Sequence, residues 1–89
     1  MNLEQLKKLI ISEHFDLYLD FYIGDLLAAE NTLSLKKVSE NKFSVRKTGE
    51  RGMKTEYTEL TEAEACEICL KYFNYAKILY EYQKKNKQR

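Results

Sequence analysis

Cys66 and Cys69 are the residues whose type and spacing most readily suggest chemistry, because they form a C-x-x-C pair. A redox pair of this kind usually lies where a helix begins directly after a strand, so that the helix dipole lowers the thiol pKa. Here both cysteines fall a full turn inside a predicted helix, and Cys69 lies on its apolar stripe. A zinc site needs four ligands, and His14 is the only histidine. We therefore interpret both cysteines as small core residues, and we expect no metal and no cofactor.

Two other patterns have the outline of a site but lack its essential partners. His14 has no cysteine or serine partner in a recognisable motif, and we interpret it as a residue at a helix end. The run Gly49-Glu50-Arg51-Gly52 is poorer in glycine than a phosphate-binding loop, and a strand is predicted after it instead of a helix. We interpret it as a turn. Because no acid–base or nucleophile set is visible, we predict that the chain is not an enzyme.

Charge is arranged in blocks, although the formal net charge is only +1. No Lys or Arg occurs between Leu9 and Leu35, and the carboxylates of this segment are Glu13, Asp16, Asp20, Asp25 and Glu30. The basic residues of the next block are Lys36, Lys37, Lys42, Arg46, Lys47, Arg51 and Lys54. Such blocks can mark a partner surface of either sign, or neighbouring blocks can neutralise each other in the fold.

Tyrosine is the residue type in clearest excess, with seven among 89 residues. It suits protein interfaces because it brings a large contact area at a low cost in conformational entropy. Tyrosines beside lysines can also stack on single-stranded nucleic acid, but this chain lacks the strong positive charge of such binders. A third possibility is that most of the tyrosines complete the rim of a small core.

Two helices are predicted to position these residues. Asn2 and Gln5 are spaced as a reciprocal cap for a first helix that ends near Ser12 to His14. Thr61 and Glu64 are spaced as a capping box for a longer helix that reaches Tyr82. The predicted core stripe of this second helix is Ala65, Cys69, Tyr72, Ala76 and Leu79, with Phe73 and Tyr80 on one flank and Ile68 and Tyr75 on the other.

Period-two alternation between the helices predicts three or four strands. The clearest pair is a hairpin of Thr32 to Val38 and Lys42 to Lys47. A further strand is predicted at Met53 to Thr58, and a short one at Tyr18 to Ile23 that Gly24 ends, followed by a turn of helix or an ordered loop. The residues expected to share one face of each strand are Leu17, Leu19, Phe21 and Ile23, then Leu33 and Leu35, then Phe43 and Val45, then Met53, Thr55 and Tyr57.

These elements predict an α+β fold with an N-terminal helix, a small, mainly antiparallel sheet of three or four strands, and a long C-terminal helix packed on one face. The length suits one domain, placed at residues 1–83, with a basic, frayed tail at 84–89. No apolar run approaches the roughly 20 residues that cross a bilayer. Glu4, Lys7 and Lys8 interrupt any signal-peptide pattern. We therefore predict a cytoplasmic protein that does not associate with a membrane.

The C-terminal half resembles a known group of proteins. It has a strand, the triplet Glu50-Arg51-Gly52 and a polar strand, and then Thr61-Glu62-Ala63-Glu64-Ala65-Cys66 opens an aromatic helix. This order of elements resembles that of small immunity proteins. These proteins belong to bacterial polymorphic-toxin and contact-dependent growth inhibition systems. The resemblance implies an inhibitor that binds a cognate toxin domain, frequently a nuclease, and blocks its active site or the path of its substrate.

For such an inhibitor the acidic segment is the expected contact, because carboxylates steer association with a basic cleft and mimic phosphate charge. The residues predicted to bind the partner are Asp16, Tyr18, Asp20, Tyr22, Asp25 and Glu30, with the two tyrosines as anchors. The alternative is a small nucleic-acid-binding regulator that uses the basic hairpin, namely Lys36, Lys37, Lys42, Arg46, Lys47 and Arg51. Salt-sensitive binding to random DNA or RNA would favour this alternative.

Overall fold

The computed structural model describes residues 1–24, 31–49 and 53–87. The elements in these ranges are helix α1 (Leu3–Glu13), a 3-10 turn (Phe15–Leu17), strands β1 (Asp20–Ile23), β2 (Thr32–Ser39), β3 (Lys42–Thr48) and β4 (Lys54–Leu60), and helix α2 (Glu62–Lys87). The strands form one sheet in the order β1-β2-β3-β4. β1 and β2 are parallel, and the other two pairs are antiparallel. The predicted α+β architecture, with a mainly antiparallel sheet and a long C-terminal helix, is confirmed.

Both helices begin at the capping pairs that the sequence predicts. The Gln5 N–H donates to Asn2 Oδ1 at 2.8 Å, and the Asn2 N–H donates to Gln5 Oε1 at 2.9 Å. At α2, the Thr61 N–H donates to Glu64 Oε1 at 2.9 Å, and the Glu64 N–H donates to Thr61 Oγ1 at 3.2 Å. These bonds satisfy donors that have no acceptor within the helix. α1 ends within the predicted range, with His14 in the left-handed conformation at a φ of 55°.

The core lies between one face of the sheet and the two helices. Phe73 of α2 is its centre: its ring stacks on Phe15 at a centroid distance of 5.1 Å and meets Phe21 of β1 edge-on at 5.5 Å. The buried apolar residues are Leu6, Phe15, Leu19, Leu33, Leu35, Phe43, Val45, Ala65, Cys66, Cys69 and Phe73. The inward faces predicted for the hairpin and the core role predicted for both cysteines are thereby confirmed.

β4 contains a bulge that the alternation of its sequence does not show. Val45 pairs with Tyr57 and Phe43 pairs with Leu60, so three steps along β4 match two steps along β3. Glu59 lies in this interval with a φ of 59°, and one extra residue on one strand is the definition of a β-bulge. The bulge allows both Tyr57 and Leu60 to pack against the core.

The prediction for the N-terminal strand was wrong in its first residues. The chain forms the 3-10 turn at Phe15–Leu17, and β1 begins at Asp20. Leu17 is therefore exposed instead of sharing an inward face with Leu19 and Phe21. Met53 likewise precedes β4 and is exposed. At the N-terminal strand the 3-10 turn ends the alternation early, and at β4 the pairing with β3 begins one residue after Met53.

The predicted core stripe of α2 was wrong at its C-terminal end. Leu79 is 43% exposed, and every described side chain from Ile78 to Lys84 is exposed. The reason is length: a 26-residue helix extends about 39 Å, whereas the longest strand, with eight residues, extends about 26 Å. α2 also continues to Lys87, past Tyr82, where the helix was predicted to end.

Three predicted features lie outside the described residues. They are the turn or helix after Gly24 (residues 25–30), the triplet Glu50-Arg51-Gly52, and the end of the tail at residues 88–89.

Candidate partner-binding surfaces

The C-x-x-C pair is enclosed in the core and does not form a reactive site. Cys66 and Cys69 are fully buried, and burial raises the pKa of both thiols, that of Cys69 to about 12. A thiol with a raised pKa is a poor nucleophile near neutral pH. Among the described residues, no group of three or more His, Cys, Asp and Glu side chains is arranged to hold a metal ion. Candidate sites in this part of the chain are therefore surfaces.

Strand β1 presents the first candidate surface, and Tyr22 is its best-supported side chain. Because side chains alternate along a strand and Phe21 points into the core, Asp20 and Tyr22 point to the face turned away from α2. Gly24 has a φ of +124°, and a Cβ added there would lie 3.3 Å from Cε1 of Tyr22. The Gly24 N–H donates to the Leu35 carbonyl at 2.9 Å. The ring of Tyr22 thus lies beside the Gly24 backbone, although 46% of the Tyr22 surface is exposed.

The predicted partner-binding residues do not all lie on one face of the molecule. Asp20 and Tyr22 share a face of β1, and Asp16 is exposed in the 3-10 turn. Tyr18 instead turns toward α2, where its ring meets Tyr80 edge-on at a centroid distance of 5.0 Å. Outside the described residues lie Asp25 and Glu30. The structure therefore gives Tyr18 a packing contact and leaves Tyr22 as the exposed tyrosine of this segment.

Exposed apolar side chains accompany the carboxylates of this segment. Leu17 follows Asp16 and is 69% exposed, and Ile23 follows Tyr22 and is 42% exposed. β1 also lies at one edge of the sheet, with β2 as its partner among the described strands. We call Asp16, Leu17, Asp20 and Tyr22 the acidic edge; Ile23, the next residue along β1, lies on the opposite face of the strand. Exposed apolar groups beside charges of one sign are typical of protein-binding surfaces.

The basic residues of the hairpin are divided between the two faces of the sheet. Lys36 and Arg46 lie on the face turned away from α2, because they alternate with inward-facing residues of β2 and β3. Lys37 pairs with the buried Phe43 and so lies on the opposite face, as Lys47 does. Lys42, which precedes the inward Phe43, shares the outer face with Lys36 and Arg46, so the described hairpin cations are divided between the two faces.

Several of these cations also have local partners. Arg46 Nη2 is 2.8 Å from Glu56 Oε1, and Lys42 forms an ion pair with Glu59. Partial burial lowers the pKa of Lys47, whose Nζ donates to the Thr48 carbonyl at 2.7 Å. These pairings reduce the charge that the hairpin offers to a phosphate backbone.

One flank of α2 forms the second candidate surface. Ile68, Tyr72, Tyr75, Leu79 and Tyr82 follow one another at alternating steps of four and three, which places them in one stripe along the helix. We call these five residues the α2 seam. Tyr75, Leu79 and Tyr82 are exposed. The spacing is visible in the sequence. The prediction nevertheless assigned Tyr72 and Leu79 to the core stripe and Ile68 and Tyr75 to its flank, so the five residues were not recognised as one surface.

The N-terminal half of the seam lines a groove of about 390 Å³ beside β4. At its base the hydroxyl groups of Tyr57 and Tyr72 lie 2.9 Å apart and share a hydrogen bond, and the two rings meet edge-on. Burial and this bond raise the pKa of Tyr72 to about 12. Ile68, Lys71 and Tyr75 complete the lining. The groove is therefore mostly aromatic, with one cation at its border.

α1 lies on the opposite flank of α2. The Leu3 N–H donates to Glu62 Oε2 at 2.8 Å, and Glu13 Oε2 is 3.8 Å from Lys77 Nζ. Lys77 is roughly half a turn away from the α2 seam around the helix. The two flanks thus differ: α1 packs against one, and the seam faces outward on the other.

Neither helix is both long and apolar enough to cross a membrane in the part of the chain that the structure describes. Comparisons of the chain with protein-family models, with curated proteins and with solved structures give no match in any of the three. The features that bear on function are therefore the acidic edge and the resemblance in the sequence.

Proposed function

We propose that this chain is an immunity protein that binds a cognate bacterial toxin domain, a nuclease in the leading case, and neutralises it by covering its active site or substrate path. The observation that carries the proposal is the exposure of Leu17 and Tyr22 beside Asp16 and Asp20. This combination offers an apolar contact together with negative charge. A toxin that binds a polyanionic substrate has the complementary charge.

Each part of the acidic edge has a distinct task in this proposal. Asp16 and Asp20 accelerate encounter with a basic cleft and occupy positions that substrate phosphates would take. Tyr22 is the anchor, and its support by Gly24 lowers the entropy lost when the ring is fixed in a complex. Tyr18 acts indirectly, because its contact with Tyr80 fixes the 3-10 turn to α2.

The alternative function, nucleic-acid binding through the hairpin, has less support. Its described cations are split between two faces, and Lys42 and Arg46 pair with glutamates. A phosphate-binding surface instead concentrates cations on one face. Weak, salt-insensitive retention on random DNA or RNA is the expected result for this chain.

The first test is co-expression with the product of the gene immediately upstream. That product is expected to inhibit growth alone, to lose its toxicity in the presence of this chain, and to co-purify with it. The charge reversal Asp16→Lys/Asp20→Lys is expected to weaken the complex by about 100-fold or more, because like charges then face each other. Isothermal titration calorimetry of the purified pair measures the change.

The matched control is Glu40→Lys/Glu67→Lys, which makes the same change in net charge at two exposed positions away from the acidic edge. It is expected to retain the wild-type affinity. Circular dichroism of both variants verifies that they are folded. Equal affinities for the two folded variants would contradict the assignment of the acidic edge. A failure of wild-type chain to bind or protect would contradict the proposed function for this gene pair.

A further inference from the structure

The α2 seam is an apolar helix flank with the spacing of a coiled-coil interface. Its five residues span about four turns, and their steps of four and three are those of the a and d positions of a heptad repeat. Tyr75 is 66% exposed and Tyr82 is 64% exposed, and Ile78 borders them at 66%. Side chains of this size at these positions are suited to pack against a second helix.

The distribution of charge along α2 indicates which helix that is. The first six residues of α2 contain Glu62, Glu64 and Glu67 and no Lys or Arg, whereas its last six residues contain Lys84, Lys85 and Lys87 and no Asp or Glu. When two copies of α2 lie antiparallel, the acidic start of each lies beside the basic end of the other. A parallel pair would bring like charges together at both ends. The helix dipoles also favour the antiparallel arrangement.

We propose that a second copy of this chain covers the α2 seam, and that the two α2 helices pair antiparallel in a symmetric dimer. The two-fold axis passes between Tyr72 and Tyr75, near the middle of the seam. In such a pair each a residue meets a d residue of the other copy, so Leu79 meets the partner copy's Ile68. The aromatic groove beside β4 widens the contact on each side. This inference is independent of the proposed function, because it uses the flank of α2 and not the acidic edge.

The size of the seam sets the expected strength of the dimer. A specific interface needs roughly 500 Å² from each partner. Two tyrosines that are about two-thirds exposed supply on the order of 200–300 Å² of this, and the remaining seam residues supply the rest. Because this area is at the lower limit for a specific contact, we expect a weak dimer that dissociates at roughly 100 µM.

Sedimentation equilibrium tests the proposal on the whole chain. Between roughly 1 µM and 1 mM, the average mass is expected to rise from 10.6 kDa toward twice that value. Tyr75→Lys/Leu79→Lys is expected to remain at 10.6 kDa throughout, because it places charges at the centre of the contact. Both residues are exposed in the single chain, so this variant is expected to fold.

The matched control is Asn74→Lys, which adds the same side chain next to Tyr75 on an exposed part of α2 that faces away from the seam. It is expected to dimerise like the wild type. A wild-type mass of 10.6 kDa at every concentration overturns the proposal. So does a dimer that persists in Tyr75→Lys/Leu79→Lys, or one that Asn74→Lys abolishes equally.

Zero-length carbodiimide cross-linking tests the direction of the pair. Glu64 lies four residues before Ile68 and Lys85 three residues after Tyr82, so by their spacing both border the seam. The two are about 32 Å apart along one helix, too far for such a link within one chain. An antiparallel dimer is expected to give a Glu64–Lys85 cross-link in the dimer band, identified by mass spectrometry. A dimer band without this cross-link overturns the antiparallel arrangement.

Discussion

At the scale of single residues, Cys69 and Tyr72 show how burial controls the chemistry of this chain. Both belong to types that are reactive or exposed in many sites, yet each has its pKa raised to about 12 on α2. For Cys69 the cause is burial, followed by the neighbouring Cys66. For Tyr72 the cause is burial, followed by the hydrogen bond to Tyr57. The fold therefore favours the protonated, neutral form of both side chains.

This leads to a prediction about alkaline pH. Below pH 9.0, the usual pKa of a cysteine thiol, Cys69 is protonated in both the folded and the unfolded chain. Between that pH and about 12 it ionises only in the unfolded chain, so the free energy of unfolding falls as the pH rises. Urea unfolding followed by circular dichroism at a series of pH values measures this slope.

The control for this prediction is Cys69→Ala, which lacks the thiol. Its free energy of unfolding is lower at neutral pH because a buried sulfur is removed, but it is expected to decline less steeply above pH 9.0 than that of the wild type. Parallel slopes for the two proteins would show that the Cys69 thiol is not protected by the fold.

At the scale of elements, short-range hydrogen bonds determine where the helices begin. The reciprocal pairs at Asn2 and Gln5 and at Thr61 and Glu64 each use residues three positions apart. The bonds from Thr61 to the Glu64 side chain also lower the pKa of that carboxyl. At α1 a distant residue adds a further bond, because the Leu3 N–H donates to Glu62 Oε2. The two reciprocal pairs themselves are local, and they already place both helix starts.

Removal of one cap tests this local control. Thr61→Ala is expected to lower the free energy of unfolding by about 1 kcal/mol, because the Glu64 N–H loses its acceptor. The control is Ser12→Ala in the last turn of α1, which removes a hydroxyl that donates to the Leu9 carbonyl. It is expected to change the free energy of unfolding by about 0.5 kcal/mol or less. Chemical denaturation of the two variants compares them directly. A larger effect at Ser12 than at Thr61 would refute the role given to the cap.

At the scale of the whole molecule, the fold is a thin, two-layer structure. Its principal extents are 50, 30 and 15 Å, and the buried side chains of α2 all precede Ala76. Phe73 joins the layers, because its ring contacts Phe15 of the 3-10 turn and Phe21 of β1. A single side chain thus connects three elements, among them the two that carry the acidic edge.

Phe73→Ala is expected to destabilise the molecule by about 3–5 kcal/mol, through lost burial and the cavity that remains. This is a large share of the roughly 5–15 kcal/mol typical of a folded domain. Tyr75→Ala, two residues away but exposed, is expected to change the stability by about 0.5 kcal/mol or less at dilute, monomeric concentration. Thermal and urea unfolding measure both variants, and comparable losses would contradict the central position of Phe73.

Much of the fold was predictable because it depends on neighbours in the chain. The capping pairs, the hairpin with Phe43 and Val45 inward, and the apolar phase of α2 near Cys69 all follow from local spacing. The candidate surfaces were less predictable. Tyr18 and Tyr22 were assigned together, but the first packs on Tyr80 and the second lies over Gly24. The sequence of this segment alone does not show on which side of the sheet each tyrosine side chain lies.

The sequence by itself determined the two helices and where they begin, the hairpin, and most of the residues that these elements bury. The tertiary structure alone decided how far each apolar face is covered, because that depends on the lengths of elements that pack together. The sheet ends before α2 does, and this leaves Leu79 and Tyr82 exposed. The bulge at Glu59 and the outward position of Tyr22 likewise depend on pairing between strands. Cys66 and Cys69, which first suggested chemistry, are core residues, and the surfaces proposed to bind partners lie around them.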